Sequence, residues 1–279
     1  MRLVVQGRAI TVAHLTHIHR LIGQDKQFMQ IGEFAYYLPI QSLDDDAVQR
    51  FCAEQKIDFA LVPDSQRLNR FGLCVMDMDS TLIAIECIDE IADMMDIKPK
   101  VAEITESAMR GELDFAASLK RRVALLKGLD EGALKKVIDE RLKFNPGVQA
   151  WIATCKQHQI KTMVVSGGFT IFAQHVKDTL GLDYAVSNSL EIIDGQLTGK
   201  VLGDIVDADR KANELIKLRD QLGLQPEQTI AIGDGANDLK MMTAAGIGIA
   251  YHAKPVVQAQ ATYALNYVGL DGAAYLLTT

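Results

Sequence analysis

The chain reads as an α/β protein: a parallel sheet with helices on both faces, interrupted by a helical insertion and preceded by a small α+β unit. Three observations predict this. From residue 71 onward, short apolar runs alternate with helical patterns, the order that builds a parallel sheet through crossover connections. Residues 86–144 break the alternation and carry helical periodicity with little that reads as strand. Residues 1–70 hold strand and helix signals of their own and end in a polar stretch at 65–70. The division expected is therefore 1–68 for the small unit and 69–279 for the larger domain, with the insertion at about 86–144.

Each element has its own warrant. Residues 3–5, 34–38 and 58–62 are short apolar runs of strand type. Residues 12–22 place apolar side chains at helical spacing, and 44–55 predict a second helix whose acidic first turn suits the helix dipole. After the buried strand at 71–76, Ile85, Ile88, Ile91, Ala92 and Met95 form one helical stripe, and Ala116, Leu119, Val123 and Leu126 another. Asn145-Pro146 predicts a helix start with proline at the first helical position. The run 160–165 reads as strand, then Ser-Gly-Gly, then a helix over 169–180 closed by Gly181. Asp194-Gly195 between two strand-like runs predicts a hairpin. A helix over 210–222 leads to another buried strand, polar turn and helix in "TIAIGDGANDLKMM", and 246–250 supplies a last strand.

Bulk properties exclude several function classes. With 279 residues, 48% hydrophobic and 23% charged, the chain has ample material for a packed core. A net charge of -7 and the lack of a dense Lys/Arg run argue against nucleic-acid binding. The amino-terminal stretch "MRLVVQGRAITVAHL" has Arg8 among its apolar residues, so neither a signal peptide nor a membrane partner is expected. Cys52, Cys74, Cys87 and Cys155 show no paired metal-type spacing, which suits a reducing cytoplasm. Monomer and homodimer both stay open.

In a parallel sheet, ligands sit outside the carboxyl ends of the strands. Three strands here end in polar text: "MDMDST" at 76–81, "SGG" at 166–168 and "GDGAND" at 233–238. Asp77, Asp79 and Asp234 meeting at one edge, without clustered His or Cys, point to Mg²⁺, a hard cation that takes oxygen ligands. Asp77 at a strand tip could attack phosphorus, while Asp79, two residues on, could protonate the leaving oxygen and then activate water. Ser166 and the Gly167 N–H at an expected helix start form an anion site, and Lys211 adds a point charge. Alone, "SGG" is an ordinary turn and Lys211 an ordinary helix lysine; the ordered set is specific.

"DMDST", "SGG", Lys211 and "GDGAND" match, in order, the four motifs of the haloacid-dehalogenase-like phosphohydrolases. "MDMDSTLIAIECIDEIADM", "ITESAMRGELDFAASLKRRVALLKGL", "VVSGGFT", "LDYAVSN" and "DGQLTGKV" extend the likeness, so that residues 71–270 resemble the phosphoserine phosphatases of that superfamily. The resemblance implies a Rossmannoid sheet with a helical cap, and hydrolysis of O-phospho-L-serine as the last step of serine biosynthesis. It implies Asp77 as nucleophile, Asp79 as general acid/base, and Mg²⁺ on Asp77, the backbone carbonyl of Asp79 and Asp234, with Asp238 supporting. Ser166, Gly167 and Lys211 would hold the phosphoryl group, with Asn237 beside it. Glu86 suits the ammonium of phosphoserine and Arg122 its carboxylate, while Met109 and Phe115 would form an apolar wall. The rival reading is a phosphatase or phosphotransferase for another small ester. Family members also carry ACT-like amino-terminal domains, so residues 1–68 are a candidate amino-acid-binding regulatory module.

Overall fold

Two sheets organise the chain in the computed structural model, which describes residues 1–23, 26–41 and 46–277. Residues 44 and 45 of the expected acidic helix start, and the side chain of Met109, lie outside the described residues. The first unit runs β1 (Arg2–Gln6), α1 (Val12–Ile22), β2 (Met29–Gly32), β3 (Ala35–Pro39), α2 (Asp46–Glu54) and β4 (Asp58–Val62). Its antiparallel sheet has the order β2-β3-β1-β4, a βαββαβ arrangement. Helix α1 spans the expected residues because both ends are capped: Thr11 Oγ accepts the His14 N–H, and Gly23 turns the chain at φ 67°. Strand β2 carries no apolar alternation, Met29 and Gln30 being exposed, and so left no periodic signal.

The larger unit begins with β5 (Leu73–Met76) and then holds α3 (Cys87–Met94), α4 (Lys98–Met109), α5 (Phe115–Ala124) and α6 (Gly132–Arg141) in the insertion. It continues with α7 (Val148–Gln157), β6 (Lys161–Phe169), α8 (Thr170–Leu180), β7 (Tyr184–Ile193), β8 (Gln196–Leu202) and α9 (Ala208–Gln221). It ends with β9 (Thr229–Gly233), α10 (Leu239–Ala244), β10 (Ile247–Tyr251), α11 (Pro255–Gln258), β11 (Tyr263–Leu265) and α12 (Gly272–Leu277). The sheet order is β11-β10-β9-β5-β6-β7-β8, parallel throughout except for β8. Cys74 and Met76 face one core with Trp151 and Phe172, whereas Leu73 and Val75 face the other with Leu215 and Met241. Burial on both faces is why these strands read as continuous apolar runs.

The β7–β8 hairpin turns at Asp194 (φ 49°) and Gly195 (φ 75°), the paired left-handed geometry that a two-residue turn of this kind requires. The insertion is stitched to this hairpin: Gly128 N–H donates to Leu197 O (2.8 Å), Leu197 N–H to Leu129 O (2.9 Å) and Glu131 N–H to Gly195 O (2.8 Å).

Asn145-Pro146 does not start a helix. Helix α7 begins two residues later, at Val148, because Gly147 takes up the left-handed region at φ 80° and breaks the helical path after Pro146. The Asn145 side chain instead donates to the carbonyls of Ser80 (3.0 Å), Thr81 (2.9 Å) and Ile83 (3.2 Å), clamping the segment that enters the insertion to the one that leaves it. The two units meet through Asp58, 4% exposed, whose carboxylate accepts the N–H groups of Asn266 (2.7 Å), Tyr267 (2.8 Å) and Val268 (3.1 Å). Gln6 Nε2 donates to Gly272 O at 3.1 Å beside it. All four cysteines are free and buried. Among the described residues no helix is long and apolar enough to cross a membrane.

Candidate active site

The three strands with polar ends, β9, β5 and β6, are neighbours in the sheet, so their tips converge. Asp77 extends the ladder past β5, its N–H donating to Ile232 O at 2.9 Å, and its side chain emerges at the edge. Asp77 Oδ1 accepts the Met78 N–H (2.8 Å) and lies 2.7 Å from Lys211 Nζ. Lys211, 1% exposed, is delivered by α9, whose cap Asp207 accepts the Arg210 N–H at 2.9 Å. The same ammonium donates to Asp238 Oδ1 at 2.7 Å, while Asp238 Oδ2 accepts the Gly235 N–H at 3.1 Å. Gly233 is needed there: a Cβ would fall 2.4 Å from the Asp238 carboxylate.

Oxygens of Asp77, Asp234 and Asp238 lie within 4.8 Å of one another. Three carboxylates facing a single ammonium leave negative charge uncompensated in a poorly solvated place. Burial and mutual repulsion shift the pKa values of these groups accordingly. Burial, then the Asp238 charge, holds the Asp77 carboxyl well above the usual carboxylate range. Burial, then Asp238 and Glu86, pushes Asp234 up to about 6. Burial opposes the charge on Lys211, but Asp238 and Asp77 outweigh it and raise its pKa. This donor set fits a divalent cation with oxygen ligands. Asp238 gives both oxygens to Lys211 and Gly235, whereas Asp77 and Asp234 line the cavity.

Asp79 lines the same cavity, half-buried, its Oδ1 accepting the Cys87 thiol at 3.1 Å. Burial, then Glu86, pushes its carboxyl up to about 7, a value suited to carrying a proton and giving it up. The cavity measures about 140 Å³ and is lined by Asp77, Asp79, Glu86, Phe115, Arg122, Ser166, Gly167, Asp234 and Asn237 among others. Of the sequence-predicted residues, Lys211 and Asp238 stand directly behind this lining. A larger cleft of about 460 Å³, between 67–69, α7 and α12, has Asp271 as the one carboxylate among its lining residues.

At the mouth, Glu86 caps α3 in an exposed position and accepts the Ser80 hydroxyl at 2.7 Å. Arg122 Nε, from α5, is buried without a hydrogen-bond partner, and burial lowers the guanidinium pKa. A buried, unpaired charged donor is expensive unless a ligand meets it. Gly167 lies under Phe115, where a Cβ would sit 2.7 Å from the ring.

The expected helix start at Ser166-Gly167 is not there. β6 stays extended through Phe169 and α8 starts at Thr170, so this anion site is an irregular strand end rather than a helix terminus. Ser166 Oγ accepts the Gly168 N–H at 2.8 Å and holds that turn. Sequence reasoning gave no role to Thr81, whose hydroxyl donates to Asp234 at 3.2 Å, to Cys87, or to the clamp Asn145. Thr81 was legible inside "DMDST"; Cys87 read as one more buried thiol.

A haloacid dehalogenase-like hydrolase family model matches residues 71–246. A phosphoserine phosphatase of Haemophilus influenzae is 49% identical over 279 residues, covering 99% of this chain and 88% of that protein. The unliganded crystal structure of a probable phosphoserine phosphatase from Vibrio cholerae superposes with a TM-score of 0.88 at 41% identity, covering 99% of this chain and 86% of that one. A structure described as a phospho-aspartyl intermediate analogue of phosphoserine phosphatase matches with a TM-score of 0.68 at 40% identity, covering 72% of this chain and 96% of that one. The chain belongs to the haloacid dehalogenase-like hydrolases and, within them, to the phosphoserine phosphatase family.

Proposed function

We propose that the protein is a Mg²⁺-dependent phosphatase that hydrolyses O-phospho-L-serine to L-serine and phosphate, the last step of serine biosynthesis. The observation that carries the substrate is the cavity's charge layout. Asp77, Ser166 and Gly167 line it with Lys211 2.7 Å behind Asp77, and Glu86 and Arg122, whose Nε is unpaired, line it too. Phosphoserine bears a phosphate, an ammonium and a carboxylate, one for each of these partners.

In the first step Asp77 attacks phosphorus, the ester P–O bond breaks, and Asp79 gives its proton to the departing serine oxygen. In the second, Asp79 takes a proton from water, whose oxygen attacks the phosphorus of the aspartyl phosphate; phosphate leaves and the Asp77 carboxylate is restored. The likeness to a phospho-aspartyl intermediate analogue supports this assignment. Asp77, the backbone carbonyl of Asp79 and Asp234 would hold Mg²⁺, which when bound neutralises charge on the phosphoryl oxygens. Lys211 screens Asp77 from the incoming anion, and Phe115 shields the cavity from water. Residues 1–68 would form the separate amino-terminal domain, as their own βαββαβ sheet supports. Four free, buried cysteines suit a cytoplasmic enzyme.

Phosphate release from a panel of phosphate monoesters, with Mg²⁺ and with a chelator, tests the reading. Phosphoserine should be strongly preferred and the chelator should stop turnover. Equal rates on esters without an amino-acid portion would favour a different small ester as substrate.

A further inference from the structure

The β6–β7 ladder runs regularly from Met163 to Val165 and resumes only at Phe169, opposite Asn188. The Ser166-Gly167-Gly168 turn between them has therefore left the ladder, and a carbonyl there needs another partner. Asn188 supplies it. Its Nδ2 donates to Gly167 O at 2.8 Å, and its Oδ1 accepts the Val206 N–H at 2.8 Å. The residue is 1% exposed and stands outside the cavity lining. Val206 immediately precedes Asp207, the cap of α9, whose carbonyl accepts the Lys211 N–H at 2.9 Å. One buried amide thus joins the turn on one side of the site to the helix that delivers the cation on the other. The job needs a donor and an acceptor on one short group; aspartate would offer acceptors alone.

We propose that Asn188 is a positioning residue that fixes the spacing between the Ser166-Gly167 turn and Lys211, so that both grip the same phosphoryl group. This rests on the phosphatase reading above. Asn188→Asp keeps the acceptor toward Val206 and turns a carboxylate onto the Gly167 carbonyl. Asn188→Ser is a milder second variant should the first fail to fold.

The test is calorimetric titration of orthovanadate, a phosphoryl-transfer mimic, and of L-serine into the Mg²⁺-loaded wild type and both variants. Orthovanadate binding should weaken about tenfold or more, the scale of one lost hydrogen bond with a charged group, while L-serine binding stays within about twofold. Turnover should fall about 10–100-fold, as expected for a reacting group displaced by a fraction of an ångström to an ångström. A merely structural role would weaken both ligands alike. Unchanged orthovanadate binding in a cooperatively melting variant, or equal losses for the two ligands, overturns the proposal. A wild type unable to hydrolyse phosphoserine would instead sink the phosphatase reading, since the heat of orthovanadate binding is read without turnover.

Discussion

Replacing Lys211 with methionine removes an ammonium that lies 2.7 Å from both Asp77 and Asp238 in a site where all three side chains are nearly or fully buried. Methionine keeps the volume, so the perturbation is electrical. Removing one partner of a buried ion pair costs about 3–5 kcal/mol, because the remaining charge is left uncompensated. At roughly 2–4 °C per kcal/mol for a chain of this order, the melting temperature should drop by about 6–20 °C. The pH dependence identifies the cause. In the wild type the Lys211 pKa is raised above its unfolded value, so its contribution is fully present below about 10.4 and constant from about pH 5.5 to about pH 8. In the variant the Asp77 carboxyl, already raised by burial, rises further above the unfolded value of about 3.9. Folded wild type and variant both hold a proton that the unfolded chain releases above about 3.9, so both lose stability as pH rises, and the variant goes on losing it beyond the folded Asp77 pKa of the wild type. Urea denaturation of metal-free wild type and variant across a pH series should show the difference between them widening once pH passes the wild type's folded Asp77 pKa, and Mg²⁺ should restore part of it. A loss below about 1 kcal/mol throughout the series would refute the charge-compensation argument.

Other outcomes follow from the same site. Asp77→Asn should abolish turnover while leaving the melting curve cooperative; normal phosphoserine hydrolysis by that variant would disprove the nucleophile assignment. Glu86→Ala and Arg122→Ala should each lower kcat/KM for phosphoserine by about 10–100-fold, the scale of a lost charged hydrogen bond, while sparing a plain aryl phosphate. Equal losses on both substrates would remove these residues from substrate recognition. Mg²⁺ affinity should tighten as pH rises through about 6, where Asp234 sheds its proton; a pH-independent dissociation constant across that range would contradict its place at the cation.

Much of this was legible in the sequence because the signals were physical. Strands buried on both faces must be apolar, so 73–76 and 229–233 announced themselves, and carboxylates placed straight after them needed a cation. The left-handed pair at Asp194-Gly195 was equally readable. Exposed β2 lacked any period to read. Asn145 and Asn188 escaped for another reason: each works through side-chain hydrogen bonds to backbone groups 60 or so and about 20 residues away, and local propensity says nothing about such partners. Helix α8 starts at Thr170, one residue after the expected 169, and Gly167 and Gly168 before it stay extended.

The three backbone bonds between 128–131 and the β7–β8 hairpin set a bound on what can reach the chemistry. With its far side hydrogen-bonded to the hairpin and its root clasped by Asn145, the insertion is tied to the sheet at two separate places above the site. The cavity of about 140 Å³ beneath it suits a free amino-acid ester, whereas a phosphorylated residue within a polypeptide would bring chain on both sides that has to leave by the same mouth.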